Sequence, residues 1–157
     1  MYKDALRAAW AEINITNLDF NIKQIKEKVG SGVKITGVVK ADAYGHGSVR
    51  VATVLRANGI ESFAVATLSE AVRLRKAGFL LEEIMVLSPI PEPYIDTIIE
   101  HRLSPVVCDY KNAEAISKAA AAAGIIIKGY IAVDTGMGRI GYSDDVTSVE
   151  DVKMIAG

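Results

Sequence analysis

Short apolar runs alternate with amphipathic runs along this chain, and glycine or proline separates most of them. After an extended run, WAEINI, apolar residues recur at helical spacing at Leu18, Ile22, Ile25 and Val29, and Gly30 is placed to end that helix. Apolar runs of the kind that form buried strands begin at residues 33, 62, 83, 104 and 126, with amphipathic stretches between them. This alternation predicts five β/α units around a parallel sheet.

The spacing of the predicted strands favours a barrel over a doubly wound sheet. Successive strand starts lie 29, 21, 21 and 22 residues apart, without a long crossover or an antiparallel hairpin. A complete barrel of this kind needs eight strands and about 200 to 250 residues, whereas this chain has 157 residues. The expected fold class is therefore α/β, an incomplete (β/α)8 TIM-type barrel with about five strand-helix units. Residues 1–157 are expected to form the first part of a longer barrel domain.

The segment GVVKADAYGHG, residues 37–47, is the first candidate for chemistry. Lys40 follows two valines at the point where the first strand should leave the core, and an amine desolvated there becomes a usable nucleophile or base. A lysine at a strand end that snorkels to solvent is the other interpretation. Tyr44 to Gly47 should form a turn whose glycines allow a ligand close to the backbone.

The segment VDTGMGRIGY, residues 133–142, is the second candidate and follows the fifth predicted strand. It is a polar, glycine-rich loop with Asp134 and Arg139, and a guanidinium there can hold a carboxylate or a phenolate through a planar fork of donors. Its spacing is not that of a dinucleotide or phosphate-binding motif. Because both segments follow strands of one parallel sheet, they should reach the same end of the barrel.

Composition and charge narrow the classes of function. Lys and Arg number 18 against 19 Asp and Glu, and a net charge of -1 gives no attraction to nucleic acid or an anionic membrane. No apolar run is long enough to span a bilayer, and the charged start MYKDALRAAW has no apolar run behind it, so no secretory signal is expected. A single cysteine cannot form an internal disulfide, which favours a reducing cytoplasm. Cys108, the single cysteine, is expected to be a buried strand residue.

Other polar residues have structural interpretations. The basic run Arg73 to Lys76 precedes Gly78 and is placed at a predicted helix end, where cations favour the exposed carbonyls. His101 has no second histidine or cysteine at ligand spacing, so no metal site is expected.

Four separated motifs occur in the order that one family shows: RAAWAEINITNLDFNI, VVKADAYGHG, FAVATLSEAVRLRKAG and VDTGMGRIGY. Together they resemble the bacterial alanine racemases, fold-type III enzymes that use pyridoxal 5'-phosphate (PLP), and the resemblance extends over nearly the whole chain. It implies an isomerase that interconverts L- and D-alanine for peptidoglycan precursors.

The resemblance implies roles for three side chains of this sequence. Lys40 would bind PLP covalently and act as the catalytic base on one face of the substrate Cα. Tyr44 would hydrogen-bond the cofactor phosphate. Arg139 would contact the phenolic oxygen of the cofactor and the carboxylate of the amino-acid substrate. His46 would be a neighbour of this loop with no specified role.

The resemblance also implies groups that this chain does not carry. In the family the second base is a tyrosine from the C-terminal β domain of the partner subunit in a homodimer, and that domain lies outside residues 1–157. The isolated chain is therefore expected not to racemise amino acids.

Two positions depart from the family's motifs. Many members have a lysine, modified to a carbamate that holds the arginine, where this chain has Ala132. An anion, a water cluster or a side chain from a neighbouring strand is expected beside Arg139 instead, because an unpaired buried guanidinium is costly. Asp42 stands where asparagine is common.

Several alternatives stay open. A serine racemase or a broad-specificity racemase of the same fold type shares these motifs. A decarboxylase of the same barrel type fits the two loop motifs poorly. A non-catalytic PLP-binding barrel protein and a structural piece without cofactor are the alternatives from other classes.

Overall fold

Parallel strands and helices alternate through the computed structural model, which describes residues 10–143 and 145–156. The five strands are β1 (Thr36–Val38), β2 (Ser62–Val65), β3 (Glu83–Val86), β4 (Ser104–Val107) and β5 (Tyr130–Ile131). The helices are α1 (Ile15–Val29), α2 (Lys40–Tyr44), α3 (Ser48–Ala57), α4 (Leu68–Lys76), α5 (Ile95–His101), α6 (Tyr110–Ala122) and α7 (Val146–Ala156), with a 3-10 turn at Glu92–Tyr94.

The sheet has the strand order β1-β2-β3-β4-β5, and each neighbouring pair is parallel. Each strand thus lies beside the strand that precedes it in the sequence, as in a (β/α) barrel, whereas strand order reverses in a doubly wound sheet. The predicted fold class, an incomplete TIM-type barrel with five strand-helix units, is confirmed. Because all strands run the same way, their carboxyl ends share one end of the sheet.

The core lies between the sheet and its helices. Phe63 on β2 and Phe79 after α4 are fully buried and meet edge to face, with ring centroids 5.4 Å apart at an interplanar angle of 81°. Such an aromatic pair contributes about 1 kcal/mol beyond its buried area. The Arg56 guanidinium covers the Phe79 ring at 4.3 Å. This packing fixes β2, α3 and α4 relative to one another.

The basic run at the end of α4 has the structural role that the sequence predicts. Arg73, Arg75 and Lys76 occupy the last turn of that helix. The Arg75 guanidinium donates to the carbonyl oxygens of Phe79 (2.5 Å) and Glu82 (2.8 Å), and also to two carbonyls at the end of α5. These bonds tie the carbonyl-rich ends of two helices to the start of β3.

Several predicted element bounds are wrong. The first and fifth strands are shorter than the apolar runs 33–40 and 126–133, because Val33 and Ile126 lie exposed before the strands begin. The extended run 10–15 ends one residue early. Asn14 caps α1 by accepting a hydrogen bond from the Asn17 amide (3.0 Å), so Ile15 is already helical.

The predicted buried face of α1 is only partly covered. Ile22 is 5% exposed, but Ile25 and Val29 are 50% and 40% exposed. The helix is held against α3 by polar contacts, in which the Asn58 amide donates to Asp19 (2.8 Å) and Lys26 donates to the Asn58 carbonyl (2.5 Å).

Cys108 differs from its prediction as well. It lies one residue after β4 rather than within the strand, and it is half-buried. Partial burial raises the pKa of its thiol.

Candidate active site

Lys40 lies two residues after the end of β1, at the carboxyl end of the sheet. Val39 is fully buried, and its amide donates to the Ala64 carbonyl (2.9 Å), which extends the pairing of β1 with β2 up to Lys40. Val38 is 49% exposed, so only one of the two valines expected to desolvate the amine is buried. Lys40 itself is half-buried. The structure thus places the amine at the strand end that the sequence predicts.

Lys40–Tyr44, the element α2, is a left-handed turn. Ala41, Asp42, Ala43 and Tyr44 all have φ between 50° and 53°, and ψ is close to 44° for the first three. A left-handed helical conformation costs an L-residue about 1 to 2 kcal/mol, so four in succession store strain that the surrounding structure must offset. The sequence predicts a turn only from Tyr44 to Gly47, three residues too late.

Hydrogen bonds hold both ends of the left-handed turn. The Ala43 amide donates to the Val39 carbonyl (3.0 Å), and the Gly47 amide donates to the Asp42 carbonyl (2.9 Å). The Asp42 carboxylate accepts from the amide (2.8 Å) and the hydroxyl (3.0 Å) of Ser48, the first residue of α3. Asp42 therefore couples the turn to the start of the following helix, which is a structural role for the residue found where the family often has asparagine.

Acid should loosen this connection. The Ser48 amide and hydroxyl, with the Arg73 guanidinium, hold the pKa of Asp42 below its ordinary value of 3.8. A lowered pKa means that the carboxylate stabilises the folded state above pH 3.8 and that this contribution is lost as the pH falls through the lowered pKa. We expect the protection factor of the Ser48 amide against exchange, measured by NMR, to decrease as the pH falls through this lowered pKa. Asp42→Asn should remove that pH dependence, and an unchanged profile in this variant would contradict the assignment.

Tyr44 and His46 follow at the surface. The Tyr44 side chain is 67% exposed at the end of the left-handed turn. The His46 amide donates to the Ala43 carbonyl (3.1 Å), and its side chain is exposed. The Tyr44 phenol is therefore accessible to a ligand at the carboxyl end of β1, and no role is assigned to His46.

The loop 134–141 follows β5, and its two ends are hydrogen-bonded to each other. The Asp134 amide donates to the Tyr142 carbonyl (2.8 Å), and the Tyr142 amide donates to the Ala132 carbonyl (2.9 Å). Within the loop, the Asp134 carboxylate accepts from the amides of Gly136 (2.9 Å) and Gly138 (3.0 Å). These amide bonds lower the pKa of Asp134. Asp134 thus organises the loop, whereas the sequence indicated only that it was polar.

Tyr142 closes this loop and is a residue that the sequence analysis did not single out. Only 6% of it is exposed. Burial raises its pKa to about 12, and the nearby carboxylates of Asp151 and Asp109 act in the same direction. An aromatic residue directly after a glycine-rich loop was the available signal for such an anchor.

Arg139 lies exposed at the tip of the loop. Its Nε and Nη2 atoms lie 3.1 Å and 2.9 Å from the Met137 sulfur. The side chain beside Arg139 is therefore Met137 of the same loop, and not a side chain from a neighbouring strand. The guanidinium is free to turn toward a ligand, because a thioether is a weak acceptor.

Lys40 and Arg139 follow different strands and lie at the same end of the sheet, as predicted. Lys40 follows β1 and Arg139 follows β5, at the two edges of the open sheet with three strands between them. Among residues 10–143 and 145–156, no hydrogen bond or ion pair joins Lys40, Tyr44 and Arg139 to one another.

A metal-binding cluster and a membrane-spanning helix are both absent from the part of the chain that the structure describes. No three His, Cys, Asp or Glu side chains converge there as a metal site requires. None of the helices described is both long and apolar enough to cross a membrane.

The fold is that of a β/α-barrel protein, because its parallel strands follow one another in barrel order. Its candidate site lies at the carboxyl ends of the strands, where Lys40 follows the first strand and the loop of Arg139 follows the fifth. The chain belongs to the family described as alanine racemase, N-terminal domain, whose model matches residues 13–156. The family resemblance found in the sequence is confirmed.

Similar proteins agree with this assignment. The alanine racemase of Clostridium kluyveri is 48% identical over 150 residues, which cover 96% of this chain and 38% of that protein. The structure of the alanine racemase of Clostridium difficile 630 matches with a TM-score of 0.89 at 34% identity, over 97% of this chain and 40% of that one.

A racemase of another amino acid shares the fold. The histidine racemase of Leuconostoc mesenteroides subsp. sake matches with a TM-score of 0.74 at 28% identity, over 89% of this chain and 38% of that one. The chain spans about two fifths of the length of the relatives that it matches.

Proposed function

We propose that this chain supplies the lysine-bearing part of the active site of a PLP-dependent alanine racemase. The observation that carries the proposal is the placement of Lys40, which is held by a strained turn at the carboxyl end of β1. Within the described residues no carboxylate lies at ion-pair distance from its amine. Lys40 is half-buried, and in the described part of the chain its amine makes no ion pair that a ligand would have to displace.

The donor set fits PLP. An aldehyde needs an amine, a phosphate needs hydrogen-bond donors, and a phenolate oxygen or a substrate carboxylate suits a guanidinium. Lys40, the exposed phenol of Tyr44 and the exposed guanidinium of Arg139 offer these three groups at one end of the sheet. When bound, PLP would supply a conjugated ring that delocalises the electron pair left as the substrate Cα loses its proton.

The residues of this chain would act around that centre. The Lys40 amine would hold the cofactor covalently and, once released, would remove or return the proton at Cα on one face. The Tyr44 hydroxyl would donate to the phosphate. Arg139 would turn from the Met137 sulfur toward a carboxylate or a phenolate, which are stronger acceptors for its fork of donors.

Inversion at Cα needs a second proton donor on the opposite face. We infer that it comes from a tyrosine of the C-terminal β domain of a partner subunit, so that the active enzyme is a homodimer. Residues 1–157 would then form the N-terminal part of its PLP-binding barrel domain. A cytoplasmic enzyme that provides D-alanine for peptidoglycan precursors is the proposed context.

Alanine is the proposed substrate because relatives at 48% and 45% identity carry the name alanine racemase. The structural match to a histidine racemase indicates that a similar barrel portion also serves a larger side chain. Specificity would therefore be determined mainly by groups outside the part of the barrel that this chain shares with these relatives.

Isotope exchange tests the proposal. The chain, with PLP and L-alanine in deuterated water, is expected to exchange the Cα proton without forming D-alanine, because only one base is present. The full-length protein should do both, and L-serine and L-histidine in place of L-alanine test its specificity. Formation of D-alanine by the 157-residue chain, well above free PLP, would show that the second base is dispensable.

Peptide mapping tests the attachment site separately. Borohydride reduction of the PLP-loaded protein, followed by mass spectrometry, should locate the pyridoxyl group on Lys40. A pyridoxyl group on another lysine would refute the assignment of Lys40.

A further inference from the structure

The start of the left-handed turn is bound to a side chain of a different β/α unit. The Ala41 amide, directly after Lys40, donates to Oε1 of Glu70 at 2.7 Å. Glu70 lies in the first turn of α4, beyond the carboxyl end of β2. This is a contact between a charged acceptor and the backbone of the residue next to the candidate catalytic amine.

The second oxygen of Glu70 is used as well. Oε2 accepts from the amides of Ala66 (2.8 Å) and Thr67 (3.2 Å), and the Glu70 amide donates to the Thr67 hydroxyl (3.3 Å). The second and third of these bonds form a capping box, which accounts for a glutamate at this position of a helix. A capping box does not require the bond to Ala41, so that bond is additional to the cap.

Arg73 supports the same connection from one helical turn further on. Its guanidinium lies 3.2 Å from the Asp42 carboxylate. Both side chains of this pair are about half exposed, so the pair contributes little energy. Glu70, by contrast, is half-buried and binds the backbone directly. The main constraint that α4 places on the turn is therefore the Glu70 carboxylate.

We propose that Glu70 is a positioning residue for Lys40. Left-handed backbone at Ala41 is unfavourable for an L-residue, and a charge-assisted bond to its amide offsets that cost where the turn begins. The carboxylate thereby fixes the direction in which the chain leaves β1, and with it the position of the Lys40 amine. The importance of Glu70 for catalysis rests on the proposed function of Lys40. Its stabilisation of the turn is independent of that function.

Two substitutions at Glu70 and one at Thr67 test this role. Glu70→Ala removes both acceptor oxygens. Glu70→Met keeps a side chain of similar length but has no oxygen, and its sulfur is only a weak acceptor for either set of backbone donors. Thr67→Ala is the matched control, because it removes the cap hydroxyl from the same helix end and leaves the bond to Ala41 intact.

Hydrogen-deuterium exchange of the peptide 40–47 is the first measurement, and it needs no cofactor. We expect exchange to rise about tenfold in both Glu70 variants, the size of effect expected for loss of a bond to a charged group. The second measurement is the rate at which PLP becomes attached to Lys40, trapped by borohydride and mapped by mass, and this rate should fall in the same two variants. Thr67→Ala should change neither, although exchange at the start of α4 should increase.

The outcomes separate the two proposals. Unchanged exchange over 40–47 in the Glu70 variants, or an equal rise in Thr67→Ala, would show that Glu70 only caps α4. If PLP does not attach to Lys40 in the unaltered protein, the proposed function fails, and the exchange data still decide whether Glu70 holds the turn. Glu70→Met keeps the test decisive if Glu70→Ala does not fold.

Discussion

Substitution of Lys40 by alanine is expected to abolish covalent attachment of PLP and to reduce racemisation by the full-length enzyme to background. Loss of the amine that we propose to anchor the cofactor and to transfer the Cα proton should lower kcat by on the order of 10³-fold or more. The attachment is measured by borohydride trapping and mass, and the activity by formation of D-alanine. Folding should change little, because Lys40 makes no ion pair within the described residues.

Lys34→Ala is the matched control for this substitution. Lys34 is an exposed lysine on the amino side of β1, away from the end of the sheet that carries Lys40. It should retain PLP attachment and activity. Lys40→Arg should fail as Lys40→Ala does, since a guanidinium keeps its proton and does not condense with an aldehyde. Retained trapping in both Lys40 variants would assign the cofactor to a different lysine.

Substitution of Gly141 by alanine is the second change with a large expected effect. A Cβ at this position would lie 2.9 Å from the Asp134 nitrogen and 3.0 Å from the carbonyl carbon and oxygen of Ala132. All three are backbone atoms that cannot rotate away, and φ is +109°. We expect the free energy of unfolding to fall by about 3 kcal/mol, measured by chemical denaturation.

Gly136→Ala separates the clash from the backbone strain. Gly136 has a φ of +121° in the same loop, and a Cβ there would have no heavy atom within 4 Å. Its substitution should cost only the strain of the positive φ, about 2 kcal/mol. Equal losses of stability in the two variants would show that the close approach at Gly141 relaxes without cost. Because Gly141 closes the base of the loop that carries Arg139, its substitution should also weaken substrate binding more than Gly136→Ala does.

The fold was largely predictable because its signal is periodic. Five apolar runs at nearly regular spacing indicated both the parallel sheet and its sequential order, and the order β1-β2-β3-β4-β5 agrees. The lengths of the end strands were less predictable. Ile126 is apolar and β-branched yet 99% exposed, since an apolar run shows a preference for strand and not how many of its residues find a neighbour to pair with.

The candidate site was predictable in position and not in conformation. A lysine at a strand end and an arginine in a glycine-rich loop are visible in the sequence, whereas Ala41, Asp42 and Ala43 have no shared preference for positive φ that would indicate a left-handed turn. The contact of Arg139 with the Met137 sulfur is local, but it depends on the conformation of a glycine-rich loop that the residue types leave open. The bond from Ala41 to Glu70 spans 29 positions of sequence, beyond the reach of any local pattern.

Strand order bears on how the polypeptide is assembled during synthesis. Since every strand from β2 onward pairs with the strand made just before it, each newly completed β/α unit finds its partner already present as the chain leaves the ribosome. Contacts close in sequence form faster than distant ones because less chain entropy is lost, and N-terminal units fold first during translation. The turn that carries Lys40 can therefore reach its strained form as soon as α4 has formed with Glu70 in its first turn, about 30 residues after the lysine itself is added. The loop of Arg139 is synthesised much later.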